Sequence, residues 1–192
     1  MKNPVAVLAL LVCVGGVCQH LPAMGVTDVI GIYFDLEARN QCIELPTGTH
    51  HAYLIATSLS AETGMSGWEC QILNDGPSTV MEWDLQWQAI NVYPPPGFGV
   101  GFTTPMPRAD SMVLLDISFF LFDVQPAHFY IQPWYLPSIE GVPVYAAGGD
   151  PGDLRPLYQS TGGPDNPVAV INGDCPVDDK AQTWGGLKAL YR

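Results

Sequence analysis

"VMEWDLQW", residues 80–87, decides how this chain is read. Met81, Trp83, Leu85 and Trp87 alternate with Glu82, Asp84 and Gln86. Successive side chains of a strand point to opposite faces. The segment therefore turns an apolar row to one side and a polar row to the other, the pattern of a strand that covers a core and meets water.

Comparable runs lie on both sides of it. They are "VIGIYFDLE" (29–37), "HAYLIATSL" (51–59), "GWECQIL" (67–73), "FGVGFTT" (98–104), "MVLLDISFFLF" (112–122), "HFYIQP" (128–133), "VPVYAA" (142–147) and "PVAVIN" (167–172). "HAYLIATSL" is almost continuously apolar, as in a strand buried on both faces. The 20 glycines and 18 prolines punctuate these runs throughout the chain. "NVYPPPGFG" (91–99) is excluded as a central strand, because proline donates no ladder hydrogen bond. It reads as a rigid surface crossing. No amphipathic helical window of ordinary length precedes residue 174. The pattern predicts an all-β fold, an antiparallel two-sheet β-sandwich of about nine strands, with Trp68, Trp83 and Trp87 in its core.

Composition narrows the partners. The formal charge is −12, with only seven lysines and arginines and no basic stripe among them. That disfavours nucleic acid and anionic membrane surfaces as partners. A hydrophobic share of 47% is not that of a disordered chain. "MKN" followed by "PVAVLALLVCVGGV" (4–17) and "CQHLPAMG" (18–25) has the layout of a secretory signal peptide cut near Gly25, with Ala23 and Gly25 as its small residues. Cleavage after Cys18 is the alternative. The expected organisation is a leader over 1–25, a sandwich over 26–175 and a tail over 176–192. No later stretch is long and apolar enough to span a bilayer as a helix.

Without the leader, Cys42, Cys70 and Cys175 remain. Cys70 alternates with Trp68 and Ile72, so it reads as a small core residue. Cys42 and Cys175 follow strands in polar loops, and in an oxidising compartment they are the expected disulfide.

Catalytic signatures are weak. His50 and His51 are adjacent on a strand, so their rings diverge and do not readily share one metal ion. There is no HExxH spacing, and "GMSGWE" around Ser66 lacks the second glycine of a nucleophile elbow. Glu62, Glu69, Glu82 and Asp84 could supply paired carboxylates, but Glu82 and Asp84 lie on the wet face of their strand. Asp150, Asp153 and Asp174 sit in acidic loops that could offer oxygens to calcium, without an EF-hand pattern. Trp134 and Tyr135 in "PWYLP" (133–137), with Tyr93 before the triple proline, are the best candidates for exposed aromatics that stack on a sugar or a partner.

The order "GMSGWECQI", then "MVLLDISFFLFDVQPAHFYIQP", then "VPVYAAGGD…PVAVING" resembles the cohesin-type β-sandwich, a nine-stranded jelly-roll related to some carbohydrate-binding modules. The resemblance covers roughly residues 28–173. It implies first and last strands side by side and parallel, with the loops carrying Cys42 and Cys175 meeting at one end. It also implies a secreted non-catalytic module that recognises an extracellular protein. A polysaccharide-binding module using the exposed aromatics is the alternative, and a secreted hydrolase with an unmarked site is a third. The tail "TWGGLKALYR" (183–192) resembles the "WG..K.LYR" ending of secreted bacterial proteins of the same layout. That likeness implies a sorting or docking segment read through Trp184, Lys188, Leu190, Tyr191 and Arg192.

Overall fold

The computed structural model describes residues 27–150 and 152–175. The expected leader and the tail residues Trp184 to Arg192 lie outside them. Thirteen strands follow in order: β1 (Val29–Tyr33), β2 (Cys42–Ile43), β3 (Gly48–Thr57), β4 (Met65–Asp75), β5 (Ser78–Leu85), β6 (Ala89–Asn91), β7 (Gly97–Met106), β8 (Ser111–Leu121), β9 (Ala127–Gln132), β10 (Val144–Ala147), β11 (Leu154–Pro156), β12 (Tyr158–Gln159) and β13 (Ala169–Ile171). One sheet runs β12-β1-β3-β8-β5. The other runs β11-β10-β4-β9-β13-β2, with β7 along the remaining edge of β4 and β6 beside β7. This is an all-β two-sheet sandwich.

The nine runs legible in the sequence are all strands. The four additional ones are the short β2, β6, β11 and β12. The sheets are mixed rather than purely antiparallel. The segment 29–43 divides between them, β1 pairing in parallel with β12 and β2 in parallel with β13. The first strand and the last are therefore not paired with each other as expected: β1 and β13 lie in different sheets, and each takes a two-residue strand as its parallel partner. Asn172 extends the second contact, its side-chain amide accepting from the Leu45 N–H at 2.7 Å and donating to the Leu45 carbonyl at 2.9 Å. Cys42, expected in a loop, is the first residue of β2, and it is joined in a disulfide to Cys175, which lies beyond the end of β13.

The core fills from both inner faces. Phe119 of β8 meets Phe129 of β9 edge-on at 5.5 Å, and Trp83 of β5 meets Phe98 of β7 at 5.2 Å. Each pair bridges the sheets. Fully burying a large apolar side chain is worth roughly 1.5–3 kcal/mol. The doublet Leu114-Leu115 is buried although neighbours on a strand should face opposite ways. A register shift in the β3–β8 ladder near this doublet resets the phase, so Met112 and Leu114 face inward before it and Leu115, Ile117, Phe119 and Leu121 after it. Ile55 is buried beside Leu54 without any such shift on its own strand: it lies opposite Gly31 of β1, on the face away from Leu54 and Ala56.

Two side chains of the opening segment leave their expected face. The β5–β8 register shifts between Val80 and Glu82, and the extra residue, Met81, is 61% exposed. Val80, Trp83 and Leu85 pack on the core instead. Trp87 lies past the end of β5 with a positive φ of 62°, and it is 51% exposed rather than in the core.

One polar cluster is built into the sandwich. Asp28 is buried, and its Oδ1 accepts from the Tyr145 hydroxyl at 2.6 Å and from the Ser60 N–H at 2.7 Å. Tyr145 is fully buried and also accepts from the Ala61 N–H. Burial, with the Asp28 hydrogen bond second, holds its phenol above the usual range. The cluster fastens the start of β1 to the β3–β4 turn and to β10.

Candidate functional site

β9 and β10 both run antiparallel to β4, one after the other: Gln132 opposes Gln71, and Val144 opposes Glu69. They are two halves of one strand line, interrupted by the excursion 133–143. This excursion carries Trp134 and Tyr135. Opposite them, β7 presents Gly97, Gly99 and Gly101 to the outside, because Phe98 and Val100 face the core. The glycines leave room that other residues would fill. A Cβ on Gly97 would collide with the Trp134 ring, and one on Gly99 with the Tyr93 ring.

The three aromatics expected to bind are thereby brought together. Trp134 and Tyr93 stack at 4.5 Å with 20° between their planes, and Tyr135 meets Trp134 edge-on at 4.5 Å. Trp134 is nevertheless not an exposed platform, being only 9% accessible. It is laid against the glycine backbone and roofed by Tyr93. Tyr135 is 70% exposed, and its ring stands at 64° to the indole, so the pair forms no single flat face.

Beside the aromatics runs an open groove, floored by Gly67, Gly99, Gly101 and Ala146 and flanked by Val92, Tyr93 and Leu154. Glu69 closes one end. Its two carboxylate oxygens accept from the N–H and the hydroxyl of Ser138, at 2.6 and 3.0 Å, and so tether the excursion. Val92 and Leu154 are exposed along the groove's sides, and Tyr135 and Leu136 are exposed on the excursion that Ser138 ties to it. The alternate glycines 97, 99 and 101 were the sequence signal for this floor, since a strand face without Cβ atoms must be covered or approached by something else.

The other candidates disperse. Asp150 accepts from the Gly152 N–H at 2.8 Å, while Asp153 is engaged by both the Nε and Nη2 of Arg155. The Arg155 hydrogen bonds hold the Asp153 carboxyl below its usual range. Asp174 borders a different hollow, with Glu44 and Asn172. Among the described residues no three Asp, Glu, His or Cys side chains converge as a metal site would need, so the expected calcium ligands are not assembled. His50 turns toward Phe119 and the Pro46 carbonyl, while His51 pairs with Asp116 at 2.8 Å. His128 pairs with Asp75 at 2.7 Å. Glu62 is held by Arg108, and Glu82 and Asp84 lie on the wet side of β5. Burial pushes the thiol of Cys70 well above its usual range, with Glu69 adding to the effect.

No family model matches the chain, and no curated protein matches it either. The solved structures to which it is similar include three cohesin modules. One is the sixth cohesin of scaffoldin B from Acetivibrio cellulolyticus, solved in complex with a dockerin. It has 13% identity and a TM-score of 0.46, covering 78% of this chain and 100% of that one. A type II cohesin domain from the cellulosome of the same organism has 12% identity and a TM-score of 0.47, covering 77% and 96%. The cohesin module of a family 33 glycoside hydrolase from Clostridium perfringens has 12% identity and a TM-score of 0.44, covering 68% and 91%. The likeness is to a cohesin-like sandwich, the layout that the order of segments in the sequence resembles.

Proposed function

We propose that the protein is a secreted, non-catalytic recognition module that holds an extracellular protein at the cell surface or in the matrix. The observation carrying this reading is the groove on the outer face of the second sheet. Exposed apolar residues ring a floor of glycine and alanine on a frame fixed by two strand ladders. A floor without bulky side chains lets another backbone approach closely, and the rim offers anchors whose burial would supply affinity. Rimmed apolar patches of this kind mark interaction surfaces. The Cys42–Cys175 disulfide suits an oxidising compartment. Within this reading residues 1–25 are the leader removed on export, and 176–192 a segment for sorting or docking.

The test is affinity capture from the producing organism's culture medium with the mature chain, identification by mass spectrometry, and measurement of Kd for the purified pair. The double variant Tyr135→Ser/Leu136→Ser is expected to weaken binding at least about tenfold, both side chains standing clear of the core. A partner bound equally well by this variant would place recognition elsewhere.

A further inference from the structure

The corner between the sheets is occupied by a residue that folding alone does not favour. The Gln86 N–H donates to the Leu114 carbonyl, continuing the first sheet. The Thr103 N–H donates to the Gln88 carbonyl, continuing the second. Trp87 alone makes the turn between them, and it does so in the left-handed region, at φ 62°. Glycine or asparagine fits such a position, whereas for a bulky residue it is an outlier. Strain of this kind persists where the surroundings impose it, and it gathers at functional sites.

The usual compensation, burial of the indole, is absent, since half of the residue faces solvent. The ring is nevertheless fixed. Its Nε1–H donates to the Thr104 carbonyl at 2.8 Å. A hollow of about 300 Å³ lies against it, lined by Trp87, Gln88 and Thr104. That is the lower end of small-molecule sites, which run to roughly 300–1,000 Å³. Gln88 is oriented as well, its Oε1 accepting from the Thr103 hydroxyl at 3.0 Å, so that its amide N–H₂ remains to donate. Thr104 is exposed beside it.

We infer that Trp87 is the platform of a glycan-binding site, separate from the groove, that takes a neutral sugar. The apolar C–H face of a pyranose stacks on a fixed indole, and its hydroxyls meet the Gln88 amide and the Thr104 hydroxyl. A uronate or a sulfated sugar is disfavoured by charge. Residues 27–175 carry seventeen carboxylates against three arginines, and Asp84 lies close to this corner in the sequence.

The experiment is calorimetric titration of the mature chain with hexaoses of β-1,4-glucan, xylan, mannan and chitin, and with oligogalacturonate as the charged comparison. At least one neutral hexaose is expected to bind, and oligogalacturonate is not. Trp87→Ala should weaken the neutral ligand at least about tenfold. Trp87→Gly should do the same while keeping the wild-type melting temperature or raising it, because glycine accepts the corner without strain. Tyr135→Ser/Leu136→Ser should bind the sugar like the wild type. Binding unaffected by Trp87→Ala, sugar binding lost in the groove variant, or no neutral hexaose bound at all would each overturn the assignment. The groove reading is tested separately by the protein partner and survives any of those results.

Discussion

Trp134 and Tyr93 stack at 4.5 Å across two separate loops, and the contact exists because Gly97 and Gly99 beneath them have no side chains. The outer face of the second sheet is therefore organised by what β7 omits.

Gly97→Ala should displace the indole. Overpacking of this sort costs about 1–3 kcal/mol. Tryptophan emission should move to the red as Trp134 is lifted into water. Gly101→Ala is the control, since a methyl group there meets open space. Urea unfolding should separate the two variants clearly, and equal stabilities would contradict the packing described.

Removing the disulfide should cost more. Cys42 and Cys175 are 133 residues apart, and a bridge that closes a loop of this size acts largely on the unfolded chain. Cys42→Ser is expected to lose roughly 2–5 kcal/mol, read as a lower urea midpoint. Reductant should destabilise the wild type by a similar amount and leave the variant unchanged.

Cys70 should resist alkylation. It is buried, and its raised pKa keeps the thiolate, the reactive form, scarce at pH 8. In the chain from residue 26 onward, iodoacetamide should label Cys70 only after denaturation. Rapid labelling of the native protein would place the thiol at the surface.

Tyr145 sets an alkaline limit. The fold favours its neutral phenol, so the folded pKa lies above the unfolded value. The stabilisation is then complete below the ordinary phenol pKa of about 10 and is lost as pH rises through the raised value. Melting temperatures should fall above about pH 10, and less steeply in Tyr145→Phe. At pH 7 the same variant should cost about 1–3 kcal/mol, because buried Asp28 loses its hydroxyl donor.

Glu69→Ala should release the excursion 133–143 from its two hydrogen bonds with Ser138. Partner affinity should drop several-fold while the urea midpoint barely moves. A large stability loss would mean that the tether serves the core rather than the groove.

Strand identity was legible because burial on one face writes period-two alternation into the sequence, as in Trp83 and Leu85 against Glu82 and Asp84. What escaped was set by distant parts of the chain. β2 and β12 are two-residue segments whose partners define them, and no pattern fits into so short a run. Met81 and Trp87 continue the apolar alternation on paper. A bulge displaces the first, and a left-handed corner turns out the second. Tyr93, Trp134 and Tyr135 were recognisable as loop aromatics, yet their meeting depended on glycines in another strand. Asp150, Asp153 and Asp174 were legible as acidic loop residues, but the engagement of Asp153 by Arg155 was not.

The broken strand line along β4 has a further implication. Each half is registered independently, β9 against Gln71–Asp75 and β10 against Met65–Glu69. The intervening loop therefore carries no responsibility for alignment. It is a cassette: its length and sequence can be exchanged while both ladders keep their partners. Evolution or an engineer could re-aim the module at a new target by rewriting 135–142 alone, keeping Trp134 on its glycine bed.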